Sequence, residues 1–159
     1  MRKLFACSVI AMIAVAGGVS IAIAADADPV VGTWQLNPAK SKFLAGPALT
    51  SQTRTYSQTG DKITLVMTTV GADGKEVTSH TTYQLNGKDF PVTGTPDYDS
   101  LSAKRVDSNT AAFVLKKAGK EIGNTSRTVS KDGKTLTSKT KVTNAAGEKS
   151  QSVLVFDRK

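Results

Sequence analysis

The sequence predicts an all-β protein, an antiparallel up-and-down β-barrel of about 8–10 strands. Three observations carry this: short runs of β-branched and aromatic residues, turn signals recurring about every ten residues, and no helical repeat of apolar residues outside 38–50. A meander of this length either closes on itself or leaves two long open edges. Closure satisfies the edge hydrogen-bonding groups.

Residues 1–24 are expected to be a signal peptide. Arg2 and Lys3 form a positive start, Leu4 to Ala24 is an uncharged apolar run, and Ala22-Ile23-Ala24 has the small-x-small pattern of a cleavage site. The run is about long enough to remain as a membrane anchor, but Gly17-Gly18 and the Ala-x-Ala site favour cleavage. A lipid anchor at Cys7 is rejected, because the apolar core follows that cysteine instead of preceding it. What remains, residues 25–159, is 135 residues long, one domain able to bury a core unaided. It has no cysteine, which removes disulfides, thiol catalysis and cysteine metal sites. The expected location is periplasmic or secreted, with no integral membrane span after cleavage.

The formal charge of +8 falls to +6 once Arg2 and Lys3 are gone. The lysines are scattered, as at Lys62, Lys75, Lys88, Lys104, Lys120, Lys131 and Lys134. They are not interleaved with aromatics in the way that grips single-stranded nucleic acid. Nucleic acid is not expected as a partner, and scattered lysines on strands discourage edge pairing.

The strands are placed at 31–36, 51–58, 62–70, 76–85, 88–92, 99–106, 111–117, 121–129, 134–143 and 149–157. Between them lie Thr59-Gly60-Asp61, Gly71-Ala72-Asp73-Gly74, Asn86-Gly87, Asp107-Ser108-Asn109, Ala118-Gly119, Asp132-Gly133 and Asn144-Ala145-Ala146-Gly147. Asn-Gly and Asp-Gly accept positive φ at little cost, as tight hairpins require. Alternation puts Ile63, Leu65 and Met67 on one face, Ala111, Phe113 and Leu115 on another, and Leu154 and Phe156 on a third. These faces continue as hydroxyl residues: Thr69, Ser79, Thr81, Ser126, Ser138, Thr140, Ser150 and Ser152. Either the interior is partly hydroxyl-lined around a cavity, or some strands are read one residue out of register.

The front segment Gly32-Thr33-Trp34-Gln35-Leu36, the hairpin Ser130–Thr137 and the end Val155-Phe156-Asp157-Arg158 together resemble the calycins, the superfamily of lipocalins and fatty-acid-binding proteins. The resemblance implies a barrel-closing motif of Gly32, Trp34 and Arg158, in which the indole plugs one end and the guanidinium packs over it as a cation–π contact. Two departures separate the chain from fatty-acid-binding proteins. Residues 37–50 contain Pro38, Gly46 and Pro47 and are too few and too broken for a two-helix lid. The positions of the Arg-x-Tyr carboxylate clamp read Leu154-Val155-Phe156. The chain is closer to a lidless, exported, bacterial lipocalin-like domain.

No catalytic constellation emerges, and no enzyme activity is expected. His80 is the only histidine; an axial haem ligand is conceivable, but a solvated strand histidine fits better. Asp97, Tyr98 and Asp99 follow Pro96 and fit turn chemistry better than a calcium loop or an acid–base pair. Neither metal nor cofactor is expected. The ligand-binding candidates are Arg54, Tyr56, Met67, Tyr83, Arg105, Phe113 and Phe156, with Arg127 a further polar contact. The expected function is non-enzymatic carriage of a small apolar or amphipathic ligand by a monomer. The alternative is an envelope or stress protein with a filled barrel that meets a protein partner through its surface.

Overall fold

A computed structural model describes residues 27–45, 48–144 and 146–159, so the expected signal peptide, its expected cleavage site, Gly46 and Pro47 lie outside the described residues. The strands are β1 (Gly32–Leu36), β2 (Lys42–Ala45), β3 (Leu49–Thr59), β4 (Lys62–Gly71), β5 (Glu76–Tyr83), β6 (Asn86–Thr93), β7 (Ser100–Arg105), β8 (Thr110–Lys117), β9 (Lys120–Val129), β10 (Thr135–Thr143) and β11 (Lys149–Arg158). Strands β3 to β11 form an antiparallel meander, and β1 pairs with both β3 and β11. The result is a closed ten-stranded barrel with one extra strand.

The extra strand is where the structure departs from the sequence expectation. Segment 37–50 holds a 3-10 turn at Pro38–Lys40 and then β2, which continues along β11 above β1. Pro38 has no N–H to give a ladder, so strand pairing stops there. Asn37 accepts from Lys40 N, donates its backbone N–H to Val155 O at 2.8 Å, and donates its side-chain amide to Asp157 Oδ2 at 2.6 Å. The detour is therefore fastened to β11. A register shift at Gln151/Ser152 sets Phe43 opposite Ser152 and leaves Leu44 56% exposed. Among the described residues, β2 has no ladder with β3.

Lower will mean the end where β1 begins, and upper the end of the β4–β5 and β8–β9 turns. The lower interior is packed with Trp34, Leu36, Tyr56, Ile63, Tyr83, Phe113, Val129, Leu136 and Phe156, all buried. Trp34 is fully buried and its Nε1 donates to Val30 O at 2.7 Å. Arg158 lies over the indole at 4.2 Å from the ring centroid. It also donates through Nε to Gly133 O, Nη1 to Val31 O and Nη2 to Pro29 O, at 2.6, 2.7 and 2.6 Å. One guanidinium thus ties the β9–β10 turn and the segment before β1 onto the Trp34 face.

Gly32 makes that stack possible. Its φ is +131°, and a Cβ there would sit 2.6 Å from Arg158 Nη1. Gly60, at φ +59°, has nothing within 4 Å of a built Cβ. Urea unfolding followed by far-UV circular dichroism should show Gly32→Ala costing about 1–3 kcal/mol from strained backbone alone, with displacement of Arg158 added. Gly60→Ala should cost less. Equal losses would mean that the approach of Arg158 carries no weight.

Candidate functional site

Strand parity sorts the interior into two tiers. On the lower tier a buried charge cluster closes the floor. Asp28, four residues before β1, is 4% exposed and receives Arg127 Nη2 at 3.3 Å and Arg105 Nη2 at 2.9 Å. Arg127 on β9 is 2% exposed and donates through Nη1 to the Tyr83 hydroxyl at 2.8 Å. The Asp28 carboxylate also accepts from Val30 N, while Asp28 N donates to Gln58 Oε1. The segment before β1 is thereby drawn into the barrel floor instead of running free.

Burial pushes the Tyr83 phenol well above its ordinary value, although the Arg127 charge pulls the other way. Burial works against the Arg127 charge too, but Tyr83, Tyr56 and Asp28 outweigh it and the net movement is upward. With Tyr83 protonated at neutral pH, the Asp28 carboxylate is the negative charge that holds Arg127 ionised. Arg127 Nε and Ser138 Oγ are buried without a protein partner, and their residues sit opposite each other across β9 and β10.

The second arginine of the interior is Arg54 on β3. Its Cζ lies 4.3 Å from the centroid of the Phe156 ring, and its Nε donates to Gln52 Oε1 at 2.8 Å. Gln52 in turn donates to Thr69 Oγ1 on β4 at 2.8 Å. Above this level the inward positions change character. Met67, Thr69, Thr140, Val142 and Ser152 follow the inward parity of their strands yet stay half-buried, whereas Leu101 and Leu115 at the upper ends of β7 and β8 are buried. Phe43, Phe90 and Tyr98 pack at the margin of the core, also half-buried. Burial pushes the Tyr98 phenol up, with the Arg54 charge opposing it.

The candidates divide between these tiers. Tyr56, Tyr83, Phe113 and Phe156 are buried in the lower packing, where Phe113 meets Tyr83 edge-on at 5.5 Å between centroids. Arg54 and Met67 are register partners at the boundary. Arg105 is on the rim of the floor with its side chain 45% exposed, away from the upper tier. Of the hydroxyl residues, Thr69, Ser79, Thr81, Ser138, Thr140, Ser150 and Ser152 keep inward parity. Ser126 does not: it pairs with Ala112 and Lys139 on the outer face, because the inward residues of β9 are Thr125, Arg127 and Val129. Sequence reasoning missed Asp28, which reads there as a polar linker residue, and Gln52. Parity with Arg54 was the available signal for Gln52.

His80 is exposed on the outer face of β5. Asp97 and Asp99 shape the β6–β7 loop, where the Ala118 N–H and the Ser100 hydroxyl hold the Asp99 carboxyl below its usual range. Among the described residues, no three His, Cys, Asp or Glu side chains come together where a metal ion would fit. None of their helices is long and apolar enough to cross a membrane. Two concavities lie outside the upper tier. One, of about 290 Å³, is at the lower rim beside Gln58, Ile63, Leu85 and Arg105. The other, of about 410 Å³, is on the outer face of β8 to β11 beside Asn124, Ser126, Lys139 and Lys141.

Solved structures of the same architecture exist. The crystal structure of Rv2717c from M. tuberculosis superposes with a TM-score of 0.50 at 14% identity, covering 82% of this chain and 93% of that one. The redesigned β-barrel mFAP1 bound to DFHBI gives 0.47 at 14% identity, covering 82% and 95%. EF1p2_mFAP2b bound to DFHBI gives 0.48 at 10% identity, covering 82% and 94%. At these identities the likeness is one of fold. No protein-family model and no curated protein sequence matches the chain.

Two outcomes follow for the floor. Asp28→Asn leaves Arg127 buried without a counter-charge and should cost about 3–5 kcal/mol in urea unfolding; a loss below about 1 kcal/mol would mean the pair is not buried as described. The raised phenols of Tyr83 and Tyr98 mean that the folded state holds these protons more tightly than the unfolded chain. Their stabilisation is full below pH about 10, the ordinary tyrosine value, and falls as pH rises through it toward the folded values. Unfolding measured from about pH 8 to 11 should steepen downward at the alkaline end, and Tyr83→Phe should flatten that decline.

Proposed function

We propose that the protein is an exported, non-enzymatic, calycin-type barrel of the lipocalin-like kind, which carries a small, partly apolar molecule in the upper tier of its interior. The observation that supports this reading best is the contrast between tiers. The floor is packed and closed by Trp34 under Arg158, while on β4, β10 and β11 the inward residues level with or above Arg54 (Met67, Thr69, Thr140, Val142 and Ser152) stay half-buried and mix methyl with hydroxyl groups. Binding sites commonly combine an apolar wall with a few fixed polar groups. The stack of Arg158 on Trp34, with Gly32 giving it room, favours the calycin assignment. Export rests on the leader pattern in residues 1–24. A non-enzymatic role agrees with the placement of His80 on the outer face, away from the interior hydroxyls.

Titration of the purified protein with a fluorescent apolar probe tests the reading. One saturable site is expected, and Thr140→Phe, which fills the upper tier, should weaken it by about tenfold, or roughly 1.4 kcal/mol. A folded, cooperatively melting protein that binds no probe would mean a filled barrel. The outer concavity over β8 to β11 would then be where a protein partner is sought.

A further inference from the structure

Four guanidiniums, those of Arg54, Arg105, Arg127 and Arg158, serve the interior and its floor, and among the described residues one buried carboxylate answers two of them. Arg127 and Arg105 both converge on Asp28. Arg54 is left over: among the described residues no carboxylate lies within 4 Å of it, and its hydrogen bonding to protein runs through Nε alone. It is nevertheless only 9% exposed. A guanidinium drawn partly out of water without a counter-charge is unfavourable, yet this one is held in a single orientation. Thr69 supports Gln52, Gln52 accepts from Arg54 Nε, and the Phe156 ring supports the guanidinium plane at 4.3 Å. Fixing Nε and one face leaves the two Nη groups as the free side of the fork, the side that meets an oxyanion through paired N–H donors.

The surroundings suit an amphipathic molecule. Met67 is the register partner of Arg54, and Leu65 and Val142 continue the apolar wall on inward parity.

Resting on the proposed carrier role, we infer that Arg54 is the seat of the ligand's oxyanion, so that the cargo has an apolar body and one carboxylate or phosphate head. The head takes the Nη1 and Nη2 donors of Arg54. The body lies along Met67 and Val142 in the upper tier. The ligand completes the charge balance that Asp28 provides lower down, and Gln52 acts as a positioning residue for the fork.

Calorimetric titration of the purified protein with laurate, dodecyl phosphate and dodecanol, three probes with matched chains, tests this directly. At least one anion is expected to bind about tenfold or more tighter than dodecanol. Whichever anion is stronger assigns the head as carboxylate or phosphate. In Arg54→Met that preference should collapse to about twofold or less while dodecanol affinity holds. Gln52→Glu places a carboxylate beside Arg54 within the protein and should erase the preference in the same way, which covers the case in which Arg54→Met does not fold. Dodecanol binding as tightly as both anions to the unaltered protein would overturn the oxyanion seat and leave the carrier role standing. An anion preference that survives in folded Arg54→Met would place the seat elsewhere. Binding of none of the three would remove the carrier role itself.

Discussion

The floor of this barrel depends on one buried carboxylate. Asp28 is the point where the segment before β1, the β7 arginine Arg105 and the β9 arginine Arg127 meet. Burying an ion pair is costly, and replacing it with hydrocarbon is often neutral or better. What it provides here is position. The carboxylate pins Val30, whose carbonyl receives the Trp34 indole N–H, and that segment also offers Pro29 and Val31 carbonyls to Arg158. Remove the carboxylate and the arginine beneath the core loses its counter-charge while the plug over Trp34 loses its anchor.

From that constraint the two-tier interior follows. Below, large rings and aliphatics fill the space between strands, with Tyr83 and Phe113 edge to face and Arg127 within 5.5 Å of both the Tyr56 and Phe113 rings. Above, half-buried Thr69, Thr140 and Ser152 share the interior with Met67, Val142 and the buried Leu101 and Leu115. The break of the first strand at Pro38 has the same effect. The barrel wall is continuous in its lower half through β1, whereas its upper half is covered by the short β2 on the β11 side only.

Much of the fold was legible because hairpins announce themselves. Ala118-Gly119 and Asp132-Gly133 sit at turns with positive φ at each glycine, and strand ends fall within two or so residues of the pattern, whereas Asn86-Gly87, expected as a turn, opens β6 and pairs with β7. The strand β2 was not legible, since four residues, Lys42–Ala45, after a proline carry too little alternation to distinguish strand from loop. Trp34 and Arg158 could be linked across the chain only through a family resemblance; no local pattern joins residues so far apart. Asp28 was hidden for a different reason. Its role arises from three-dimensional closure, and in sequence it is a small acidic residue between a leader and a strand. Ser126 shows how little separates inside from outside on a strand, where a single residue of register exchanges the faces.

The most direct test of the two-tier barrel uses Met67, the only methionine after residue 25. Its methyl resonance reports on the upper tier, and those of Leu136 and Val129 report on the packed floor. During titration with dodecanol or laurate, the Met67 methyl should shift and saturate while Leu136 and Val129 stay nearly fixed. Shifts confined to the floor residues, or none at saturating ligand, would contradict a container that is closed below and open to cargo above.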